Sequence, residues 1–229
     1  MQKKIKNYID FISKQPKGFV YSDKNIKISE RKKNPMPDKN SNLKQEKLDA
    51  IKKRYKNCTD CPIGSQGRTQ VVFGHGNINS KIIFVGEGPG RDEDAQGIPF
   101  IGRAGQLLTR IMDASGIKRN DIYISNVVKC RPPNNRTPLP NESKICKNKI
   151  LYKEIEIIKP KIICTLGSVA TQEILNKPVS ITKIRGQFLK LNGILILPTL
   201  HPAYLLRNPS KKKDAWEDMK KIAKKLEEF

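Results

Sequence analysis

Four of the five cysteines form two pairs that flank a glycine-rich segment, and their spacing suits metal chemistry. Cys58 and Cys61 make a C-x₂-C pair, and Cys130 and Cys146 follow further along the chain. Four thiolates can complete the coordination of one tetrahedral zinc ion or hold one [4Fe-4S] cluster, and the cysteine pattern leaves both occupants open. Either occupant would connect the two ends of the segment that contains Gly86–Gly90, so we expect a metal site and a reaction site to be neighbours.

Three polar side chains outside the cysteine pairs have types and positions that suit catalysis or recognition. Glu87 projects from Gly86–Gly90, a turn that lacks the spacing of a dinucleotide-binding loop but lets a ligand approach the backbone. Asn126 ends a predicted strand, where its amide could read the edge of a base, and His201 leaves another strand beside a proline. Each also has an ordinary alternative: a solvated carboxylate, a turn-capping amide and a structural histidine.

The elements that must position these residues alternate between strand and helix from about residue 43. The predicted strands are Gln70–Phe73, Ile82–Val85, Ile122–Val128, Ile162–Leu166 and Ile194–Leu197. The predicted helices are Ala104–Ala114, Glu142–Ile158, Ser168–Leu175 and Ala215–Leu226. This alternation predicts an α/β fold, a three-layer α/β/α sandwich around a mainly parallel sheet. Ligands of such sheets bind beyond the carboxyl ends of the strands, where Gly86–Gly90, Asn126–Cys130 and Leu200–Leu206 are expected.

The first 42 residues differ from the rest of the chain. Helical spacing of Ile5, Tyr8, Ile9 and Ile12 predicts one short amphipathic helix, and the polar, proline-containing stretch Ser29–Asn42 predicts a linker. We therefore predict a basic N-terminal appendage over residues 1–42 and a single domain over residues 43–229. The appendage could be an arm that follows DNA or simply a solvated extension.

Charge and cysteine content restrict the class of protein and its compartment. The net charge of +23 over 229 residues suits a polyanionic partner, although a lysine-rich coding bias alone could produce it. Five cysteines, an odd count, indicate metal ligation in a reducing compartment rather than a disulfide scaffold, and Cys164 lies in an apolar run as expected of a core residue. No apolar run has membrane-spanning length and no signal-peptide core follows Met1, so we predict a cytoplasmic protein.

Several segments taken together resemble the family 4 uracil-DNA glycosylases, the iron–sulfur class of the uracil-DNA glycosylase superfamily. The matching segments are the C-x₂-C pair, GEGPG at 86–90, Pro99-Phe100 with GRAGQLL at 102–108, NVVKCRPPNNR at 126–136, Cys146, and HPA at 201–203. They occur in the family's order and spacing over roughly residues 45–225. Gly88 departs from the pattern, because this family usually has alanine there.

The resemblance implies a role for each residue of the site. Phe100 would stack on a uracil rotated out of DNA, Gly88 would line its pocket, and the amide of Asn126 would pair with the uracil N3–H and O4. Glu87 would orient or activate water, and His201 would stabilise negative charge on uracil O2. A further group would contact DNA, with an apolar wedge at Leu205 and phosphate contacts at Arg131 and Arg136.

The resemblance also implies a cofactor and a partner. The four cysteines would hold a structural [4Fe-4S] cluster, with zinc as the alternative occupant. The partner would be uracil-containing DNA, bound by a monomer without membrane association. Two rival functions are a relative that becomes covalently attached to uracil sites and a non-catalytic DNA-binding module. The covalent relatives carry a histidine-containing insertion after the third cysteine, whereas Cys130–Cys146 contains no histidine. The non-catalytic module, a glycosylase that has lost its activity, is disfavoured because the predicted site residues are all present: Glu87, Phe100, Asn126 and His201.

Overall fold

A six-stranded sheet forms the centre of the fold in the computed structural model, which describes residues 39–229. The strands are β1 (His75–Gly76), β2 (Ile82–Gly86), β3 (Tyr123–Asn126), β4 (Ile162–Leu166), β5 (Leu189–Leu191) and β6 (Ile194–Thr199). They lie in the order β1-β3-β2-β4-β6-β5, with β3, β2, β4 and β6 parallel and the two edge strands antiparallel to their neighbours. The predicted mainly parallel sheet is confirmed.

Helices cover this sheet, as the continuous burial of its central strands requires. Within residues 39–229 the helices are α1 (Lys39–Tyr55), α2 (Arg91–Gln96), α3 (Arg103–Ala114), α4 (Pro140–Cys146), α5 (Tyr152–Ile158), α6 (Gly167–Leu175), α7 (Ile181–Ile184), α8 (Pro202–Arg207) and α9 (Lys212–Leu226). Every residue of β2, β3 and β4 is buried, as expected when both faces are covered. Ile83, Val85 and Ile163 pack with apolar residues of α1, α5 and α6, and α9 contacts β6 and α3. None of these helices is long and apolar enough to cross a membrane.

Two predicted elements differ from the structure. Gln70–Phe73 is not a strand: Val71 and Val72 are buried, but the segment joins no ladder, and the Val72 N–H donates to the Lys129 carbonyl oxygen at 2.7 Å. The single helix predicted over Glu142–Ile158 begins earlier, at Pro140, and is interrupted by a π-helical turn at Lys147–Leu151. Such π turns occur often near functional sites, and this one directly follows Cys146.

The predicted N-terminal helix around Ile5–Ile12 lies outside the described residues, and so does most of the predicted linker. The linker's last four residues, Lys39–Asn42, instead belong to α1. The sequence analysis found no helix here because the face of α1 that is buried is narrow. It comprises Leu48, Ile51 and Tyr55.

The parallel arrangement brings three chemically interesting segments to one edge of the sheet. Gly86 at the end of β2 pairs with Asn126 at the end of β3. Thr199 at the end of β6 pairs with Leu166 at the end of β4. The chain therefore leaves β2, β3 and β6 at the same edge, where the turn after Gly86, the segment after Asn126 and His201 can meet.

Candidate active site

A cavity of about 500 Å³ lies at this edge of the sheet. Its lining includes all five residues that were predicted to take part in catalysis or base binding: Glu87, Gly88, Phe100, Asn126 and His201. They come from the loop after β2, the segment before α3, the end of β3 and the start of α8. The fold therefore brings together residues that are far apart in sequence.

Asn126 presents an unusual polar group to the cavity. The residue is 1% exposed, and its side-chain oxygen Oδ1 has no hydrogen-bond partner within the described residues. Gly86 makes this position possible, because a Cβ on Gly86 would collide with Asn126 Oδ1 and with the Phe100 ring. A buried acceptor without a partner costs roughly 1–3 kcal/mol, so its presence in the lining of a cavity indicates a site for a donor from a ligand.

Phe100 is held beside Asn126 in a strained backbone conformation. Its φ is 55°, which is rare for a residue with a bulky side chain, and the side chain is 6% exposed. The ring centroid lies 5.9 Å from that of His201, with an angle of 41° between the planes. Gly105 allows α3 to lie close to the backbone of Phe100, because a Cβ on Gly105 would collide with the Phe100 carbonyl group.

Glu93 fixes this conformation, although the sequence analysis did not single it out. Its Oε1 accepts hydrogen bonds from the N–H groups of Ile101 (3.0 Å) and Gly102 (2.8 Å), and its Oε2 accepts one from Gly90 (3.1 Å). One carboxylate therefore ties the turn after β2 to the segment that carries Phe100. The sequence carries only half of the signal of a capping box: Glu93 lies three residues after the N-cap and accepts from its N–H, but the N-cap is Gly90, which has no side chain.

Glu87 lies in the cavity wall with an altered acidity. Burial raises the pKa of Glu87 above its ordinary value, and a hydrogen bond with the side chain of Thr137 partly opposes this rise. Thr137 belongs to the segment between Cys130 and Cys146, which also lines the cavity with Pro132 and Pro138. A half-buried carboxylate of this kind suits general-base catalysis or the stabilisation of a cation.

His201 is the N-cap of α8, and this fixes the tautomer of its ring. Nδ1 accepts a hydrogen bond from the Ala203 N–H at 3.1 Å, so the proton of the neutral ring is on Nε2. Burial, with a smaller contribution from the positive charge of Arg207, lowers the pKa of His201 to about 4. His201 is therefore a neutral donor at physiological pH, suited to an oxygen that gains negative charge during a reaction.

The three residues that were predicted to contact DNA lie in different surroundings. Leu205 is completely buried, and its role as an apolar wedge stays a prediction. Arg136 makes a bidentate ion pair with Glu142, at 2.8 Å to each carboxylate oxygen, and its side chain is 34% exposed, so its role as a phosphate contact also stays a prediction. Arg131 is partly exposed and donates from Nε to Asn135 Oδ1 at 2.8 Å, so its role as a phosphate contact stays a prediction.

The four predicted metal ligands line a second, smaller cavity beside the first. Cys58 and Cys61 come from the turn after α1, Cys130 from the chain after β3, and Cys146 from the end of α4. The leftover cysteine, Cys164, is completely buried in β4, as predicted.

The surroundings of the four cysteines suit an iron–sulfur cluster. The Lys129 N–H donates to Cys146 Sγ and Arg68 Nη1 to Cys130 Sγ, each at 3.2 Å, as donors to cluster thiolates do. Burial raises the pKa of the Cys130 thiol to about 11 and that of Cys146 to about 12, so thiolates here require a bound cation. Within residues 39–229 no three histidine, cysteine or acidic side chains are arranged to hold a metal ion. All four cysteines nevertheless line the same small cavity, as ligands of one shared metal group would.

A buried ion pair connects the two cavities, and sequence reasoning missed it. Lys129 and Glu154 have side chains that are 0% and 2% exposed, and Lys129 Nζ lies 2.8 Å from Glu154 Oε2. Lys129 Nζ also donates to the Asn126 carbonyl oxygen at 2.7 Å and to the Ser125 hydroxyl. Glu154 accepts further hydrogen bonds from the Ser125 hydroxyl and the Gly74 N–H. The pair therefore fixes the backbone of the residue whose amide lines the first cavity.

The amino-acid sequence is similar to those of known proteins. The model of the Uracil DNA glycosylase superfamily matches residues 73–220. The chain is 52% identical over 169 residues to the Type-4 uracil-DNA glycosylase of Thermotoga maritima, covering 73% of this chain and 87% of that protein. It is 45% identical over 184 residues to the Type-4 enzyme of Sulfurisphaera tokodaii, covering 76% and 83%. The Type-4 enzyme of Archaeoglobus fulgidus is 39% identical over 185 residues, covering 77% and 92%.

These similarities extend over most of each relative, and the residues that the superfamily model matches include the strands and loops that form the first cavity. They agree with the resemblance that the sequence motifs indicated. The chain therefore belongs to the type-4 uracil-DNA glycosylases of the uracil-DNA glycosylase superfamily.

Proposed function

We propose that this DNA-repair hydrolase rotates uracil out of DNA into the cavity of Glu87 and Asn126. There it hydrolyses the N-glycosidic bond and leaves an abasic site. The observation that carries the proposal is the buried Oδ1 of Asn126, which has no hydrogen-bond partner among residues 39–229, in a cavity shared with Phe100 and His201. A base inside duplex DNA is out of reach of such a cavity, so the nucleotide has to leave the stack before the reaction.

Asn126 selects the base by its hydrogen-bonding pattern. Its Oδ1 accepts a hydrogen bond from uracil N3–H, and its Nδ2 donates to O4. Cytosine has an acceptor at N3 and a donor at position 4, so both contacts would become repulsive. Phe100 stacks on the ring of the bound uracil, and Gly88, which lacks a side chain, lets the base approach the turn after β2.

Glu87 and His201 act on opposite ends of the breaking bond. Water attacks C1′ of the deoxyribose as the bond to uracil N1 breaks, and the electron pair of that bond leaves with the base. The Glu87 carboxylate orients this water and stabilises the positive charge on the sugar. His201 donates from Nε2 to uracil O2 as negative charge develops there. The water becomes the sugar hydroxyl, and the proton it releases balances the charge of the uracil anion.

Single-turnover excision tests this function directly. A labelled oligonucleotide with one uracil should give an alkali-labile site after incubation with the protein, and its backbone should stay intact until alkali is added. The same oligonucleotide with thymine should remain uncut. If stoichiometric, folded protein leaves the uracil strand resistant to alkali, the proposed function is wrong.

The substitution Asn126→Asp tests the base-reading role. The carboxylate loses the amide donor that faces uracil O4, and it repels the uracil anion as it forms. Uracil excision should therefore lose roughly 1–3 kcal/mol of transition-state stabilisation or more, measured as a single-turnover rate. Cytosine offers an amino group to the same carboxylate, so the ratio of the uracil excision rate to the cytosine excision rate should decrease.

The matched control for this prediction is Asn135→Asp, which introduces the same charge at another residue of the cavity wall. The Asn135 side chain accepts a hydrogen bond from Arg131, as a carboxylate also can. The loss of rate in Asn135→Asp therefore measures charge repulsion alone. An equal loss in both variants would remove the base-reading role from Asn126.

A structural [4Fe-4S] cluster on Cys58, Cys61, Cys130 and Cys146 is part of the proposal. When bound, the cluster supplies a rigid cross-link between α1, the chain after β3 and α4, and it leaves no coordination position open for substrate. The hydrolysis itself transfers no electron. A reducing cytoplasm would keep the four ligands as thiolates, and this location stays a prediction.

Metal analysis distinguishes this cluster from zinc. Protein purified without oxygen should be brown and should contain about four iron atoms and four acid-labile sulfides per chain. Cys146→Ala should lose the colour and lower the melting temperature, whereas Cys164→Ala should keep the iron because Cys164 lies in the core. Stoichiometric zinc without sulfide in natively produced protein would contradict the proposal.

A further inference from the structure

The loop that joins β3 to α4, residues 131–139, supplies part of the cavity wall and has a restricted backbone. Two of its consecutive residues, Asn134 and Asn135, have φ values of 53° and 55°, in the left-handed region that asparagine tolerates. Proline fixes one backbone dihedral angle wherever it occurs, and the loop contains Pro132, Pro133 and Pro138. The 131–139 loop therefore presents a defined surface to the cavity.

The buried carboxylate of Glu142 anchors this loop on both sides of Thr137. It accepts two hydrogen bonds from the Arg136 guanidinium, at 2.8 Å each, and one from the Leu139 N–H at 2.7 Å. Arg136 Nη1 also donates to the Thr137 carbonyl oxygen at 3.1 Å. The Glu142 side chain is 0% exposed, so its hydrogen bonds are shielded from water and fix the backbone around Thr137.

The side chain of Thr137 meets Glu87 from this fixed backbone. Both residues line the cavity, and the Thr137 hydroxyl donates a hydrogen bond to the Glu87 carboxylate. The other charged or titratable side chains in the cavity lining are those of Glu93, Arg136, His201, Tyr204 and Arg207. The pKa of Glu87 is shifted by burial and by the Thr137 hydroxyl, and none of these other groups contributes to the shift.

We propose that Thr137 is a positioning residue for the reaction: its hydroxyl holds the Glu87 carboxylate so that one oxygen accepts from Thr137 and the other faces the attacking water. This inference rests on the proposed function, because it requires that Glu87 orient that water. A hydrogen bond from a hydroxyl to a carboxylate favours the ionised form, which is the form that can bind the water and stabilise a positive sugar. The 131–139 loop thereby takes part in catalysis.

The pH dependence of single-turnover uracil excision tests this role in Thr137→Val, which replaces the hydroxyl by a methyl group. Burial then acts on Glu87 without an opposing hydrogen bond, so the pKa of Glu87 should rise. As pH decreases, the rate should therefore begin to fall at a higher pH than in the wild type. Above that pH the rate should be about 10- to 100-fold lower than in the wild type, the usual effect of losing one hydrogen bond to a charged group.

Two single variants serve as controls. Thr137→Ser keeps the hydroxyl and should keep the rate and the pH profile of the wild type. Thr182→Val makes the same chemical change at an exposed threonine outside the cavity, and it should also behave as the wild type. Thr137 is itself exposed, so Thr137→Val should keep its iron content and melting temperature. A loss of either that accounts for the lower rate would assign Thr137 to the fold and overturn the proposal.

A double variant shows whether Thr137 acts through Glu87. The carboxylate is absent in Glu87→Gln, so adding Thr137→Val should lower the remaining rate only slightly. A full 10- to 100-fold loss in that background, or a wild-type pH profile in Thr137→Val, would overturn the positioning role and leave the proposed function standing. Absence of uracil excision by the wild type would instead overturn the proposed function and this inference with it.

Discussion

Glu87→Gln should lower the single-turnover rate of uracil excision by about 10²- to 10⁴-fold, the usual contribution of a positioned acid–base group. Glutamine fills the same space in the cavity wall but carries no charge. It cannot stabilise the positive sugar, and it holds the attacking water less strongly. The rate is measured with enzyme in excess over a uracil-containing duplex.

The pH dependence of the rate identifies the carboxylate. Because burial raises the pKa of Glu87, the wild-type rate should fall as pH decreases through a value above that of an ordinary glutamate. The pKa of His201 is lowered to about 4, so its neutral form persists over this range and does not cause the first decrease. In Glu87→Gln the first decrease should disappear, and the low remaining rate should stay level until His201 becomes protonated.

A stability measurement separates this loss of rate from unfolding. A carboxyl group whose pKa is raised in the folded state stabilises that state below its unfolded pKa, and the benefit is lost as pH rises through the folded pKa. At neutral pH the ionised Glu87 therefore gives no stability, so glutamine should leave the melting temperature unchanged or slightly higher. Glu173→Gln, on α6 and outside the cavity, is a suitable control for the rate. A wild-type rate in Glu87→Gln would exclude the carboxylate from the reaction.

The strands of the sheet and the residues that line the first cavity could be predicted from the sequence, because both follow from local patterns. Runs such as Ile82–Val85 and Ile162–Leu166 have the β-branched content of buried parallel strands. Once the strands are parallel, the segments that follow them must meet at one edge, so Glu87, Asn126 and His201 could be expected together. The short run Gln70–Phe73 shows the limit of this reasoning. It has strand composition, but it has no strand neighbour available.

Other features depend on tertiary packing and have no local signal. The face of α8 that is buried is decided by its contact with α3, so the exposure of Tyr204 and the burial of Leu205 could not be read from HPAYLLR. The ion pair between Arg136 and Glu142 also has no local signal, because the Glu142 side chain is completely buried. The left-handed backbone of Phe100 results from the hydrogen bonds of Glu93 and the close approach of α3.

The buried lysine is the clearest case of such a feature. In a chain with a net charge of +23, each lysine is expected at the surface, yet the Lys129 side chain is 0% exposed. Its position between Val128 and Cys130 gives no indication that Glu154 lies opposite. The pairing becomes visible only when α5 packs behind β3, and it accounts for a charged group between Asn126 and Cys130.

Lys129→Met should lower the free energy of unfolding by about 3–5 kcal/mol, the usual effect of breaking a buried ion pair. Methionine fills much of the same volume, but it leaves Glu154 buried without its cation. Glu154 would keep the hydrogen bonds from Ser125 and Gly74, which do not neutralise its charge. The melting temperature of the intact, cluster-bearing protein should fall by about 2–4 °C for each kcal/mol.

Two further variants show that the loss comes from the buried charge. Lys52→Met makes the same chemical change in an exposed pair, in which the side chains of Lys52 and Asp49 are 44% and 56% exposed. Such pairs contribute about 0–1 kcal/mol, so this variant should melt close to the wild type. The double variant Lys129→Met with Glu154→Gln removes both charges and should recover a large part of the lost stability, because no buried ion is left unpaired. If the double variant is no more stable than Lys129→Met alone, the ion pair is not the cause, and the loss instead reflects the packing of the lysine stem against Ser125 and Asn126.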